Sequence, residues 1–183
     1  TAVGYAALHD MTGGDAPTAA GYLAAYISAS PSNVALGSMA LYNGGGDNNT
    51  AVGYQTLYSN TSGVSNTVMG YQAMYTAADQ SQNVAIGRNA MKTCTTCGLN
   101  VAVGYRVMDG VVAGHKLTAI GEGTIQAEGL SDSTGIGSGA GVTASNYFRL
   151  GNTSIARIYG KVAWTATSDR RIKKDIHETD LGL

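Results

Sequence analysis

A five-residue unit recurs along this chain at nearly constant spacing, and that repeat constrains the fold more than any other feature. TAVGY stands at Thr1, TAAGY at Thr18, VALGS at Val34, TAVGY at Thr50, TVMGY at Thr67, VAIGR at Val84, VAVGY at Val101 and TAIGE at Thr118. TGIGS at Thr134 and FRLGN at Phe148 are weaker copies. The anchoring glycines, from Gly4 through Gly151, are spaced by 17, 16, 16, 17, 17, 17, 17, 16 and 14 residues. A unit this short has no room for the helix pairs of 33–47-residue repeats or for a four-stranded propeller blade. It suits one coil of a β-solenoid, two short strands and two turns, stacked on its neighbours at about 4.8 Å. Ten coils then make a rod on the order of 45 Å long.

The columns of the repeat carry the physical logic. The residue before each glycine is apolar in all ten copies, and Thr or Val stands three before it in nine. The residue between them is Ala in seven. Such period-two alternation predicts a strand with one buried aliphatic face. The residue before each glycine is therefore expected inside. The Ala/Gly face is expected outside, open to close backbone approach. Four after the glycine a second large apolar residue recurs (Leu8, Leu41, Leu57, Met74, Met91, Met108, Ile125, Ile155), followed by turns such as NGGGDN at 43–48 and SNTSG at 59–63.

Two polar columns follow the same grid. Asn33, Asn49, Asn66, Asn83 and Asn100 precede five consecutive strands, so stacked coils are expected to align them as an amide ladder. Nine of the eleven tyrosines fall directly after the glycine or five after it. They read either as packing at coil edges or a subunit seam, or as an aromatic stripe for carbohydrate.

Composition removes several function classes. Lys+Arg total 11 against Asp+Glu 12, which leaves no basic excess for a nucleic-acid backbone. No stretch approaches the ~20 apolar residues of a membrane-spanning helix. Each coil supplies about two large aliphatic side chains, too few to offset the ordering of its backbone, so the small-residue face is expected to meet further copies in a homotrimer. The pair Cys94 and Cys97 has no partner pair for zinc and reads as a loop disulfide or two inert thiols. His9, His115 and His177 fall off the grid, and GIGSGAG at 135–141 continues it rather than opening a helix. No cofactor and no metal is expected.

These repeat residues resemble a known family. The N-x-[AV]-[VI]-G unit is similar to the head repeats of YadA-type trimeric autotransporter adhesins, which implies a left-handed parallel β-roll assembled as a trimer. The longer N-T-A-V-G-Y-Q-x-L form at 49–57 resembles repeats of phage tail fibres. The expected division is a β-roll array over 1–145, an extended β stalk over 146–168 and a charged segment over 169–183. Residues 1–168 hold 15 charged side chains and residues 169–183 hold 8. TSDRRIKKDI at 167–176 resembles the start of the self-cleaving intramolecular chaperone of phage endosialidases and tail fibres. The resemblance implies a scissile bond between Ser168 and Asp169, with Ser168 as nucleophile and Lys173 as base. Both ends of the chain read as cuts through a larger protein. The implied function is a structural and receptor-binding fibre segment, extracellular on a virion. Its implied partners are further copies of itself, other fibre or baseplate proteins, and a host glycan or protein. The alternative is a bacterial trimeric adhesin head on a cell surface.

Overall fold

A computed structural model describes residues 1–11, 17–28, 32–125 and 127–155. Among these residues there is no helix, and every strand pair is parallel, as the repeat predicts. Ten strands form one sheet: Ala2–Val3, Thr18–Ala20, Val34–Leu36, Thr50–Val52, Thr67–Met69, Val84–Ile86, Val101–Val103, Thr118–Ile120, Thr134–Ile136 and Phe148–Leu150. Each takes its place beside the next in sequence, so the chain winds as a solenoid. The register repeats the sequence alignment residue for residue: Val34 pairs with Thr50, Ala35 with Ala51 and Leu36 with Val52. The sheet runs past residue 145, with Ile136 beside Leu150.

The opposite wall is less regular. It carries a three-stranded sheet (Thr96–Gly98, Ala113–His115, Leu130–Ser131) and a two-stranded one (Ile27–Ser28, Asn43–Gly44). Elsewhere its coils are joined by turn-like hydrogen bonds, such as Thr61 N–H to Ala78 O at 2.8 Å.

The faces of the ten-stranded sheet are the reverse of those expected. The alanine column points inward, with Ala19, Ala35, Ala51, Val68, Ala85, Ala102 and Ala119 all fully buried. The residues before the glycines point outward: Leu36, Met69, Ile86 and Ile120 keep 38%, 49%, 36% and 40% of their surface exposed. The reason is space. The walls of so small a coil lie close together, and the column four after each glycine already fills the interior with Leu41, Leu57, Met74, Met91, Met108 and Ile125. Opposite it, the strand has room for little more than a methyl group.

That filling column takes an unusual backbone. Leu41, Leu57, Met74, Met91 and Met108 have φ of 50°, 52°, 47°, 50° and 52°, and the residues two earlier are also left-handed. Left-handed φ is costliest for β-branched side chains, so Leu and Met, which carry no branch at Cβ, dominate here while Val, Ile and Thr occupy the strands. Ile125, at φ 51°, is the exception. The strain is offset by hydrogen bonds to the adjacent coil, for instance Leu57 N–H to Ala73 O at 3.0 Å and Met74 N–H to Ala90 O at 2.9 Å.

Candidate functional site

Four features of the described residues bear on function: a polar spine, a disulfide, two aromatic columns and an apolar outer face. The spine is the expected asparagine ladder, and it is buried throughout, with Asn33, Asn49, Asn66, Asn83 and Asn100 each at most 1% exposed. Each side-chain oxygen accepts the backbone N–H one coil on: Asn49 to Asn33 at 2.8 Å, Asn66 to Asn49 at 3.0 Å, Asn83 to Asn66 at 3.1 Å and Asn100 to Asn83 at 3.0 Å. The amide nitrogens donate to carbonyls across the coil, including Gly63, Gln80 and Gly114. Leu117 then takes the position that Asn would hold, and its N–H closes the ladder on Asn100 Oδ1 at 2.8 Å. This spine holds the coils in register and has no exposed group to offer a ligand.

Cys94 and Cys97 form a disulfide across the buried end of the second wall, with Cα atoms 5.9 Å apart. The loop disulfide, one of the two alternatives left by the sequence, is therefore the one present. His9 lies on the surface beside Asp10 and stacks on Tyr26. His115 is exposed. No group of three or more His, Cys, Asp or Glu side chains among the described residues has the arrangement of a metal site. No helix among them is long and apolar enough to cross a membrane. The GIGSGAG segment covers the last two residues of the strand Thr134–Ile136 and the coil turn after it, as its place on the grid requires. Ser168, Lys173 and the Ser168–Asp169 bond lie outside the described residues, as does most of the 146–168 segment.

The tyrosines stack on one another along the solenoid. Tyr26, Tyr42, Tyr58 and Tyr75 form a continuous column with ring centroids 5.2, 5.0 and 5.1 Å apart and planes within 13° of parallel. In the second column Tyr5 meets Tyr22 at 5.5 Å and Tyr54 meets Tyr71 at 5.4 Å. Arg88 takes the next rung and lies over both Tyr71 and Tyr105. In the first column the inner ring faces are spent on neighbouring rings, so edge packing, the plainer of the two expectations, accounts for them. In the second column each ring meets at most one other ring.

Packing of this kind alters the Tyr58 phenol. Burial raises its pKa above the ordinary 10.0, and the neighbouring phenols of Tyr42, Tyr75 and Tyr54 raise it further because adjacent phenolates repel. A raised acid pKa means that the folded chain holds its proton longer than the unfolded chain. The resulting stabilisation is complete below the unfolded value and is lost as pH rises through the folded one. The unfolding midpoint in urea is therefore expected to fall as pH rises past the ordinary tyrosine value of 10.0. In Tyr58→Phe the fall should be shallower. An equal slope in both proteins would show that Tyr58 is not responsible.

The outer face of the ten-stranded sheet is the feature that sequence reasoning placed inside. Its two outward rows read Thr18 and Ala20, Val34 and Leu36, Thr50 and Val52, Thr67 and Met69, Val84 and Ile86, Val101 and Val103, Thr118 and Ile120, Thr134 and Ile136. No charged side chain interrupts these rows. The strip is on the order of 35 Å long at the usual strand spacing. One row is wholly aliphatic and the other mixes Thr with Val, and every side chain in them is exposed or half-buried, so this strip is a candidate docking face. The signal was in the sequence as the alternation itself, which fixes two faces without saying which is inner. Comparison of the chain with family models, curated proteins and solved structures finds no match.

Proposed function

We propose that this chain is a structural segment of a trimeric, extracellular fibre that attaches to a host surface, with the outward Val/Leu/Ile/Met rows forming the seam between copies. The observation that carries the reading is the charge-free apolar strip on the ten-stranded sheet. Burying it against two equivalent strips supplies the apolar area that a thin coil lacks on its own. The seam then uses the face opposite to the alanine face expected from sequence, because the alanines are already consumed inside each coil. Left-handed winding, a β stalk below the array and processing at Ser168–Asp169 belong to the same reading. They rest on resemblance to phage fibres and their chaperones. The TSDRRIKKDI string favours a phage tail fibre over a bacterial adhesin head. Contact with a host glycan or protein falls to the polar second wall, where Thr61, Thr95, Thr96 and His115 are exposed.

Charge placed in the strip tests the seam. Ile86→Lys combined with Val103→Lys should abolish the trimer and leave single chains that are unfolded or far less stable, since three desolvated ammonium groups per rung have no partner. Thr95→Lys, on the opposite wall, should leave the assembly intact. Unchanged mass for the double variant would move the seam elsewhere.

A further inference from the structure

In-register stacking of phenols has a chemical consequence separate from packing. A tyrosine gives up one electron and one proton to a one-electron oxidant, and the resulting phenoxyl radical couples to a second one through the ring carbon ortho to oxygen. Coupling is ordinarily limited by encounter, which a fixed neighbour removes. In the column Tyr26–Tyr42–Tyr58–Tyr75, backbone ladders hold successive rings 5.0 to 5.2 Å apart and within 10° to 13° of parallel. These four side chains are only half-buried. In the second column Tyr22, Tyr54 and Tyr71 are exposed, so oxidant reaches both columns. A half-buried ring at the coil edge can also turn about its side-chain bonds from face-to-face to edge-to-edge, as the coupled product requires.

We infer that the tyrosine columns are oxidative cross-linking sites, at which adjacent coils are joined by dityrosine bonds when the protein meets a one-electron oxidant such as a peroxidase–hydrogen peroxide couple. Two tyrosines lose one electron and one proton each, and the two radicals form one carbon–carbon bond. The two ring hydrogens at that bond then move to the oxygens and restore both phenols. The two electrons and two protons reduce one hydrogen peroxide to two waters. Each bond closes a loop of one coil, as a disulfide would, and the column staples coil to coil along the fibre. The inference is independent of the trimer, because every pair lies within one chain. Selectivity follows from the columns. Ser38 separates Tyr22 from Tyr54, and Arg88 separates Tyr71 from Tyr105, lying 5.5 and 5.8 Å from their ring centres. Tyr22–Tyr54 and Tyr71–Tyr105 pairs should therefore be rare.

The experiment oxidises the full chain briefly with horseradish peroxidase and hydrogen peroxide, digests it, and maps cross-linked peptides by tandem mass spectrometry. Among the described tyrosines, the pairs Tyr26–Tyr42, Tyr42–Tyr58, Tyr58–Tyr75, Tyr5–Tyr22 and Tyr54–Tyr71 are expected to dominate, and the oxidised protein should unfold at higher urea. Tyr58→Phe keeps a ring in the stack. It should abolish the Tyr42–Tyr58 and Tyr58–Tyr75 products while leaving Tyr26–Tyr42 at the wild-type yield. Pairs scattered without regard to column, consumption of tyrosine with no dityrosine, or loss of Tyr26–Tyr42 in the variant would each overturn the inference.

Discussion

Replacing Gly87 by alanine is expected to destabilise the solenoid by more than about 4 kcal/mol. Gly87 has φ +134°, a conformation closed to side chains, and its backbone faces Gly104 of the next coil. A Cβ at that position would meet the Gly104 carbonyl carbon at 2.7 Å and overlap its oxygen outright. Neither neighbour can yield. Gly87 N–H is tied to Met69 O at 2.8 Å, and Gly104 N–H to Ile86 O at 2.8 Å. Moving one rung would break the ladder on both sides. Gly129→Ala separates crowding from conformation, because Gly129 also has positive φ, +67°, but nothing lies within 4 Å of the added carbon. It should cost only about 1–2 kcal/mol. Urea midpoints of the two variants measure the difference, and equal midpoints would mean that the glycine column is not a stacking contact.

Asn66→Ala should cost about 3–5 kcal/mol, far more than an exposed substitution such as Thr95→Ala, which should stay within about 0.5 kcal/mol. The Asn66 amide donates to Asn49 Oδ1 at 3.0 Å and to Gln80 O at 2.7 Å. Its oxygen accepts from both the backbone and side-chain nitrogens of Asn83 at 3.1 Å. Truncation strips partners from the Gln80 carbonyl and the Asn83 N–H in a site that is 1% exposed. Water enters such a site only by opening the coil, so each orphaned group carries its desolvation cost. Hydrogen exchange should locate the damage, with faster exchange at Asn83 and little change near Ala119, more than two coils away. Uniform acceleration along the chain would instead indicate global unfolding and no local ladder.

The period, the absence of helix, the strand positions and the asparagine spine were all legible in the sequence, because each is a column property that stacking turns directly into contacts. What alternation does not encode is the sign of the face. Ala35 and Leu36 differ by one position, and choosing which points inward needs the width of the coil. That width is set by the opposing Leu41 column and its left-handed backbone. A clue was present in the separation of side-chain types, with mostly Leu and Met, unbranched at Cβ, four after the glycine and β-branched residues in the strands. It has physical meaning only once the φ near 50° at those positions is known. The tyrosine columns were legible as spacing, whereas the loss of their ring faces to one another depends on the plane angles. Ser168 and Lys173 belong to a stretch whose reading rests on resemblance to self-cleaving fibres.

Sedimentation equilibrium of the full chain tests the assembly through the apolar strip most directly. A single species at three times the 18.7 kDa of one chain is expected, unchanged by dilution across the micromolar range. A folded particle with the mass of one chain would contradict it, since the Leu36–Ile136 rows would then be stable facing water.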